Sequence, residues 1–207
     1  MKPMNKNKPN TVVIEPRILY YGNPVILLST LNEDGTTNVS PLSSSWALGN
    51  NVIIGIGLEG KAYENMKRDP ECVINIPSPE LWEQVEQISH YTGKNPVPTY
   101  KQEMGYSYCK DKLEHNALTC IASYEVRPQR ILECPLQLEA KVMGDRVPEH
   151  APHFAIIETQ VSKVHAHADI LLEHQYIDPS KWSPLIYNFR HYFGLGERLG
   201  NNRRADV

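Results

Sequence analysis

The sequence contains a series of short apolar runs, each bounded by residues typical of tight turns, and this pattern limits the fold more than any other. Residues 25–31 are mainly apolar and are followed by Asn-Glu-Asp-Gly at 32–35, whose glycine can adopt the positive φ of a hairpin turn. In residues 52–58 large apolar side chains alternate with Gly55 and Gly57, which is the period of a strand. These two glycines leave one face open to the close approach of a backbone or a flat ligand. The runs predict antiparallel strands joined by hairpins.

Two helices are expected between the strands. The first covers residues 61–69 and ends at Pro70, because the residue before a proline avoids the α region. Ser78 followed by Pro79 has the pattern of an N-cap with proline at the first helical position, and the helix it predicts ends at Gly93. The expected apolar face of this second helix consists of Leu81, Trp82, Val85 and Ile88.

The rest of the chain returns to strands after a long irregular segment. Residues 94–123 show no clean periodicity, and we expect a surface excursion of the kind that often covers a site. Strands are expected at 136–142 and 154–164, followed by a segment rich in aromatic residues. Hairpins with few helices predict a mainly β fold, a barrel or sandwich with peripheral α-helices. The predicted organisation is a tail and lead-in at 1–17, one domain at 18–200 and a polar tail at 201–207.

The charge balance, the apolar runs and the cysteine spacing exclude several classes of binding partner. The chain has 207 residues and a formal net charge of −3, so no bulk positive field attracts nucleic acid. Its apolar runs are too short to span a bilayer and its first ten residues lack a signal-like apolar region, so we expect a cytoplasmic protein without a membrane partner. The cysteines lack the paired spacing of zinc ligands and are expected to be reduced thiols. They are Cys72, Cys109, Cys120 and Cys134.

A serine-rich run is the first candidate binding segment. The run from Asn38 to Trp46 places four hydroxyl groups and an indole on what we predict to be a single strand. On one strand Ser43 and Ser45 share a face, and Ser44 and Trp46 share the opposite face. Taken alone, the run is most simply interpreted as solvated serines of an edge strand, with a ligand-binding strand as the alternative.

A strand-to-helix turn is the second candidate. Gly60 precedes a predicted helix N-terminus that carries Lys61. Free backbone N–H groups, the positive end of the helix dipole and an ammonium together suit a phosphate. Many such turns bind nothing, so the segment alone does not decide between a phosphate site and an ordinary turn.

A histidine pair offers a different chemistry. His165 and His167 share one face of a predicted strand, and Asp169 continues that face. Such a pair can chelate a metal, but the sequence names no third and fourth ligands. Exposed or hydrogen-bonded histidines are the simpler interpretation.

Three blocks, taken in order, resemble the flavin reductase-like FMN-binding split-barrel family, which includes flavoredoxin-type proteins. Residues 23–43 are similar to the opening hairpin of that family. Residues 61–68, running into 72–77, are similar to its Lys-Thr-x-Glu-Asn-Ile helix and Phe-Val-Val-Asn-Ile-Pro strand. The third and weaker block pairs residues 131–136 with two C-terminal segments, 184–187 and 192–196.

The resemblance implies a Greek-key split barrel, and a homodimer with FMN near the subunit interface. It also implies electron transfer from NADH or NADPH to flavin, or through bound FMN to a flavin or protein acceptor. Such a transfer needs no general acid or base, so no catalytic side chain is nominated. The residues expected to contact the flavin ring and ribityl chain are Asn38, Ser43, Ser44, Ser45 and Trp46. Those expected to hold the phosphate are Gly60, Lys61, Ala62 and Tyr63.

One departure from the family pattern concerns phosphate binding. The family commonly has a hydroxyl residue after the lysine, whereas this chain has Ala62. A hydrogen bond to a charged group is worth about 1.5–3 kcal/mol, so its loss predicts looser binding of FMN unless another group replaces it.

Two other functions stay open. The chain would serve as an FMN-binding electron carrier if it had no nicotinamide site of its own. It would be a metal-binding module if His165 and His167 were the functional residues and the barrel held no flavin.

Overall fold

The computed structural model describes residues 11–173 and 176–201. Residues 1–10 and 202–207, which contain most of the two predicted polar tails, lie outside the described residues. In chain order the strands are β1 (Tyr21–Pro24), β2 (Ile26–Leu31), β3 (Thr37–Leu42), β4 (Ser45–Leu48), β5 (Asn51–Gly57), β6 (Glu71–Ile76), β7 (Tyr91–Thr92), β8 (Ser107–Tyr108), β9 (Cys120–Ile121), β10 (Arg130–Ile131), β11 (Leu136–Arg146), β12 (Phe154–Ala166), β13 (Leu171–Leu172), β14 (Tyr176–Ile177), β15 (Ile186–Asn188) and β16 (His191–Phe193). The helices are α1 (Lys61–Arg68), α2 (Trp82–Ser89), α3 (Thr99–Glu103) and α4 (Lys112–His115).

A seven-stranded antiparallel sheet forms the body of the molecule. Its strand order is β3-β2-β6-β11-β12-β5-β4, and it curls into a half-barrel. The predicted hairpin of β2 and β3 is confirmed, with Leu31 opposite Thr37 and Gly35 at a φ of 80° in the turn. The mainly β split-barrel fold expected from the sequence is therefore confirmed.

The prediction that the serine run forms a single strand is wrong. β3 pairs with β2 at one end of the sheet order, whereas β4 pairs with β5 at the other end, and residues 43–44 connect them. This connection is joined to β5, where the N–H of Gly55 donates to the Ser44 carbonyl at 2.7 Å. A Cβ at Gly55 would lie 3.0 Å from the Cβ of Ser44, so this glycine admits a close backbone, as its position in the pattern predicts.

Both faces of the sheet are buried at β2, which explains why the apolar run that includes this strand does not alternate with polar residues. Ile26 and Leu28 pack in one cluster with residues of β5, β6 and α1. Val25 and Leu27 point the other way and pack with α2 and α4. Two layers of apolar contact therefore fix β2 and place the helices against the sheet.

The second predicted helix is shorter than expected. A 3₁₀ turn at Pro79–Leu81 leads into α2, which ends at Ser89 rather than near Gly93. Its Val85 and Ile88 are buried as predicted, but the side chain of Trp82 is half exposed. Trp82 instead packs against Tyr192, with ring centroids 6.3 Å apart.

The excursion between β7 and β10 holds only short elements, β8, α3, α4 and β9. Leu113 and Leu118 pack into the core cluster beside α2, so the segment is anchored rather than merely laid on the surface. The C-terminal aromatic segment forms β15 and β16, which join β1 in a three-stranded sheet. Within the described residues no helix is long and apolar enough to cross a membrane.

Candidate functional site

The first wall of the candidate site is the start of α1. The chain leaves β5 through a turn in which the N–H of Gly60 donates to the Gly57 carbonyl at 3.1 Å. Gly60 has no side chain to cap the helix, and the N–H groups of residues 61–63 meet no acceptor in the described part of the chain. The N-terminus of α1 therefore presents three free donors and the positive end of its dipole.

A cavity of about 260 Å³ opens at this helix start, and we call it the lysine cavity. Its remaining walls come from β3, from β5 and from the segment between β7 and α4. Its lining residues are Ser40, Pro41, Leu42, Ile56, Gly57, Gly60, Lys61, Ala62, Ser89, Tyr91, Thr92, Gly93, Tyr100, Lys101, Tyr106 and Lys112. Three of these are lysines and three are tyrosines, and no described aspartate or glutamate lines the cavity. Such a donor set suits an anion joined to an aromatic or sugar-like group.

The ammonium of Lys61 is engaged by carboxylates outside the lysine cavity. Its Nζ lies 2.8 Å from a Glu33 oxygen and 2.6 Å from a Glu64 oxygen. Glu64 also pairs with Lys94, and Glu33 with Arg68 at 2.9 Å. Lys61 therefore belongs to an ion-pair network, and much of its charge is already countered.

Lys112 is the most unusual charged residue of the cavity. Its side chain is almost completely buried, with 3% relative exposure, and its Nζ donates to the Asn38 side-chain oxygen at 3.0 Å and the Val39 carbonyl at 2.7 Å. Both acceptors are neutral, and no carboxylate among the described residues lies within ion-pair distance. Burial, aided by the nearby charge of Lys101, lowers the pKa of Lys112 to about 8.

Lys101 adds a second cation with no ion-pair partner in the described ranges. Its ammonium lies 5.6 Å from the ring centre of Tyr106 and 6.0 Å from that of Tyr100, distances that allow cation–π contact. Burial lowers the pKa of Lys101 and the charge of Lys94 lowers it further, although Glu59 acts in the opposite direction.

Asn38 connects the cavity to the core through a chain of hydrogen bonds. Its amide nitrogen donates to Thr30 at 3.4 Å and to Ser40 at 3.3 Å, while its oxygen accepts from Lys112. A Cβ at Gly93 would lie only 2.5 Å from that oxygen, so the close approach requires a glycine. The orientation of the Asn38 amide is thus fixed from three sides.

The structure brings together only part of the predicted site. Gly60, Lys61 and Ala62 line the lysine cavity, and Asn38 and Lys61 line an adjoining cavity of about 240 Å³. Tyr63 is turned elsewhere, since its hydroxyl donates to Asp145 at 2.9 Å.

The second half of the serine run, residues 43–46, lies outside the lining of these two cavities, whereas Ser40 lines the lysine cavity and Asn38 the adjoining one. Ser45 is buried, Trp46 is 57% exposed, and the Ser44 hydroxyl bonds to that of Tyr20 at 2.9 Å. Ser43 is partly exposed. The predicted contacts of Ser43, Ser44, Ser45 and Trp46 with a flavin ring stay predictions.

Both histidines of the predicted pair form hydrogen bonds with other groups of the protein. His165 Nε2 lies 2.6 Å from a Glu139 oxygen, and His167 Nε2 lies 2.8 Å from the Leu132 carbonyl. In the part of the chain that the structure describes, no three residues of the types His, Cys, Asp and Glu come together as a metal site.

The sequence interpretation missed Lys101, Lys112 and Gly93. All three lie in or next to residues 94–123, whose sequence has no clean periodicity from which strands or helices could be predicted. A lysine followed by an apolar residue in an irregular stretch carries no sign that it is buried, so no local signal was available for Lys112. Gly93 was interpreted as a helix end, and its packing against Asn38 depends on a contact between residues far apart in sequence.

Comparison with known proteins identifies the family. The family model described as the flavin reductase like domain matches residues 18–196. The Bacillus subtilis (strain 168) protein named "Uncharacterized protein YdfE" is 55% identical over 194 residues, which cover 94% of this chain and 94% of YdfE.

Two solved structures share the fold. Flavoredoxin of Desulfovibrio vulgaris (Miyazaki F) superposes with a TM-score of 0.78 at 19% identity, covering 95% of this chain and 99% of that one. Flavoredoxin from Methanosarcina acetivorans gives a TM-score of 0.76 at 16% identity, covering 95% of this chain and 97% of that one. Because the family model spans most of the sequence, the chain belongs to the flavin reductase-like domain family.

Proposed function

We propose that this protein binds FMN and transfers electrons from NADH or NADPH through it, as a flavin oxidoreductase. The observation that carries the proposal is the lysine cavity, which joins the free N–H groups of α1 to lysine and tyrosine side chains without a described carboxylate in its lining. Membership of the flavin reductase-like family supplies the class of ligand. An FMN phosphate is the anionic group that such a helix start accommodates.

The fit of the residues to FMN rests on the donor set. The free N–H groups of residues 61–63 and the ammonium of Lys61 would hold phosphate oxygens. Gly57 leaves open space at the cavity wall, since no atom lies within 4 Å of the position its Cβ would take. Asn38, held rigidly by its neighbours, would offer a fixed amide toward the flavin.

No side chain is assigned a proton-transfer step. The chemistry that a bound flavin supplies is the acceptance of a hydride from a reduced nicotinamide, which the protein promotes by alignment and by exclusion of competing reactions. The residues of the chain therefore bind and orient, and loss of a single side chain is expected to change affinity more than the intrinsic rate.

The direct test of this function is an absorption spectrum of the protein with FMN, recorded without oxygen before and after addition of NADH and then NADPH. Loss of the oxidised-flavin band with either nucleotide, faster than in a protein-free control, is the expected result. A shifted flavin spectrum that neither nucleotide bleaches would support the electron-carrier alternative. A preparation that leaves the FMN spectrum unchanged would contradict flavin binding.

Lys61 provides a test of the phosphate assignment. Lys61→Ala is expected to weaken FMN binding more than riboflavin binding, because riboflavin lacks the phosphate. Titration by flavin fluorescence measures both dissociation constants. Equal weakening of the two ligands would show that Lys61 does not contact the phosphate.

The same proposal includes a homodimer with FMN near the subunit interface. The support is β4, an end strand of the seven-stranded sheet whose Trp46 and Leu48 are exposed at 57% and 70%. An exposed apolar end strand is a common contact between subunits. Light scattering is expected to give twice the mass of one chain, and Trp46→Glu is expected to shift it toward the monomer. A wild-type monomer at micromolar concentration would contradict the dimer.

A further inference from the structure

The two walls of the lysine cavity differ in how their charge is balanced. On the α1 wall, Lys61 is paired with Glu33 and Glu64. On the wall that α3 and α4 provide, Lys101 and Lys112 have no ion-pair partner within the described residues. The side-chain ammonium groups that have no carboxylate partner therefore belong to α3 and α4, whereas α1 offers its free N–H groups.

We propose that Lys101 and Lys112 are the principal phosphate-binding side chains of the lysine cavity, and that they make the site selective for phosphorylated over unphosphorylated ligands. The identity of the ligand as FMN rests on the proposed function. The assignment of the two lysines rests on the geometry and charge of the cavity.

The burial of Lys112 is the strongest support. A buried ammonium without a counter-ion costs several kcal/mol, and proteins normally pair such a group or neutralise it. The two neutral acceptors at 3.0 and 2.7 Å occupy two of its three N–H bonds. An anion in the cavity would offset the remaining cost. At neutral pH a pKa of about 8 still leaves most of the side chain charged and able to attract that anion.

Lys101 is held in place by its aromatic neighbours. Tyr100 and Tyr106, whose ring centres lie 6.0 and 5.6 Å from its ammonium, restrict where the long side chain can point. Both rings belong to the cavity lining, as does Lys101 itself. A lysine fixed over aromatic rings at a cavity wall loses less conformational freedom when it meets a ligand.

The proposal also accounts for Ala62. This position lines the cavity but has no hydroxyl to donate to a phosphate, unlike the residue common at this point in the family pattern. Two additional ammonium donors would replace that single hydrogen bond. The segment 94–123 would then be part of the binding site rather than a passive cover.

The competing explanation is that Lys112 only orients Asn38. In that case loss of the Lys112 ammonium would weaken the binding of FMN and of riboflavin by the same factor, because the Asn38 amide does not distinguish the two ligands. A phosphate-binding role instead affects FMN alone. The two explanations therefore differ in the ratio of the two affinities.

The experiment compares Lys101→Gln and Lys112→Gln with Lys141→Gln, which removes an exposed lysine of β11. Fluorescence titration is expected to show FMN binding weakened at least about tenfold in each cavity variant, the size of one lost charge-assisted contact, with riboflavin changed less than twofold. The Lys141 variant should bind both ligands as the wild type does. An unchanged ratio of FMN to riboflavin affinity in both cavity variants would overturn the proposal.

A second arm separates this proposal from the proposed function. Inorganic pyrophosphate, compared with chloride at equal ionic strength, is expected to raise the Tm of the wild-type protein and not that of Lys112→Gln. If pyrophosphate stabilises the wild type while FMN does not bind, the flavin function is contradicted, whereas anion binding in the lysine cavity is supported. FMN binding could instead persist while neither the FMN-to-riboflavin affinity ratio nor the pyrophosphate effect on Tm depends on Lys101 or Lys112. That result would overturn the assignment of the two lysines and leave the flavin function in place. Lys112→Arg keeps the charge and should therefore retain the preference for FMN over riboflavin. This variant is the control that the weaker FMN binding of Lys112→Gln comes from the lost charge and not from misfolding.

Discussion

Two buried charged side chains, Glu139 and Lys112, differ in whether the protein supplies partners that compensate their charge. Glu139 lies in β11 with no exposed surface, and its carboxylate accepts the N–H groups of residues 124–126 at 2.6–3.3 Å. It also lies 2.6 Å from His165 Nε2. Although burial alone raises its pKa, these donors hold the pKa of Glu139 below its usual value. Its charge is satisfied entirely within the protein.

Lys112 is buried almost as deeply but meets only two neutral oxygens. Burial lowers its pKa to about 8, which is the response of an ammonium whose surroundings do not compensate its charge. Burial of a charge therefore does not by itself indicate a functional group. A carboxylate with four donors fixes a loop to a sheet, whereas a cation without an anion at a cavity wall indicates a ligand.

The largest expected effect concerns stability at Glu139. Glu139→Gln should lower the free energy of unfolding by about 3 kcal/mol, because the backbone donors of residues 124–126 lose an ionised acceptor. Urea unfolding measures the change, and Glu158→Gln on the exposed face of β12 should stay within about 0.5 kcal/mol of the wild type. The ratio of FMN to riboflavin affinity should not move. A loss of phosphate selectivity in Glu139→Gln would remove the distinction between the two buried charges.

The second effect is the pH dependence of ligand binding. FMN affinity should fall by about tenfold between pH 7.5 and 9.5, because Lys112 loses its proton in the ligand-free protein as pH rises through about 8, and binding must then restore it. The FMN phosphate is already a dianion over this range, so it contributes no slope. The other titratable groups whose charge acts on Lys112 are Lys101 and Cys109. Lys112→Gln should lose the slope, and an identical slope in that variant would assign it to another group.

A smaller effect would sharpen the contrast between the two cavity walls. Glu64→Gln removes one carboxylate from Lys61, whose ammonium lies 2.6 Å from it. Release of that ammonium is expected to strengthen FMN binding by about two- to threefold, since ion pairs that solvent can still reach are worth about 0.2–1 kcal/mol. Riboflavin titration is the control and should not change. Weaker FMN binding would mean that Glu64 positions Lys61 rather than competing for it.

The smallest effect is expected at Tyr63. Its hydroxyl donates to Asp145, and it does not line the lysine cavity. Tyr63→Phe should therefore leave the FMN dissociation constant unchanged within twofold. Isothermal titration would detect a larger change, and a tenfold loss would show that the side chain turns toward the phosphate when the ligand binds.

The strands and α1 could be predicted because their signals are local. Alternation in residues 52–58 and a hairpin turn at 32–35 are set by neighbours in sequence, and so is the end of α1 before Pro70. The division of the serine run into β3 and β4 could not be predicted. It depends on the curling of the sheet, which brings Ser44 against Gly55 and gives the two halves of the run different partners.

The candidate site was predictable only on its α1 wall. Gly60 and Lys61 stand at a recognisable strand-to-helix turn, and the structure places both at the cavity. The balance of charge there could not be inferred, because Glu33 reaches Lys61 from a hairpin 28 residues away. Lys112 reaches Asn38 across 74 residues, and no pattern within either segment records that contact.

Titration of the wild-type protein with FMN and with riboflavin under the same conditions tests whether the lysine cavity binds the phosphate of a flavin. We expect FMN to bind at least about tenfold more tightly, the contribution of one charge-assisted contact to the phosphate. Equal affinities for the two ligands would contradict it, because the cavity would then recognise no phosphate.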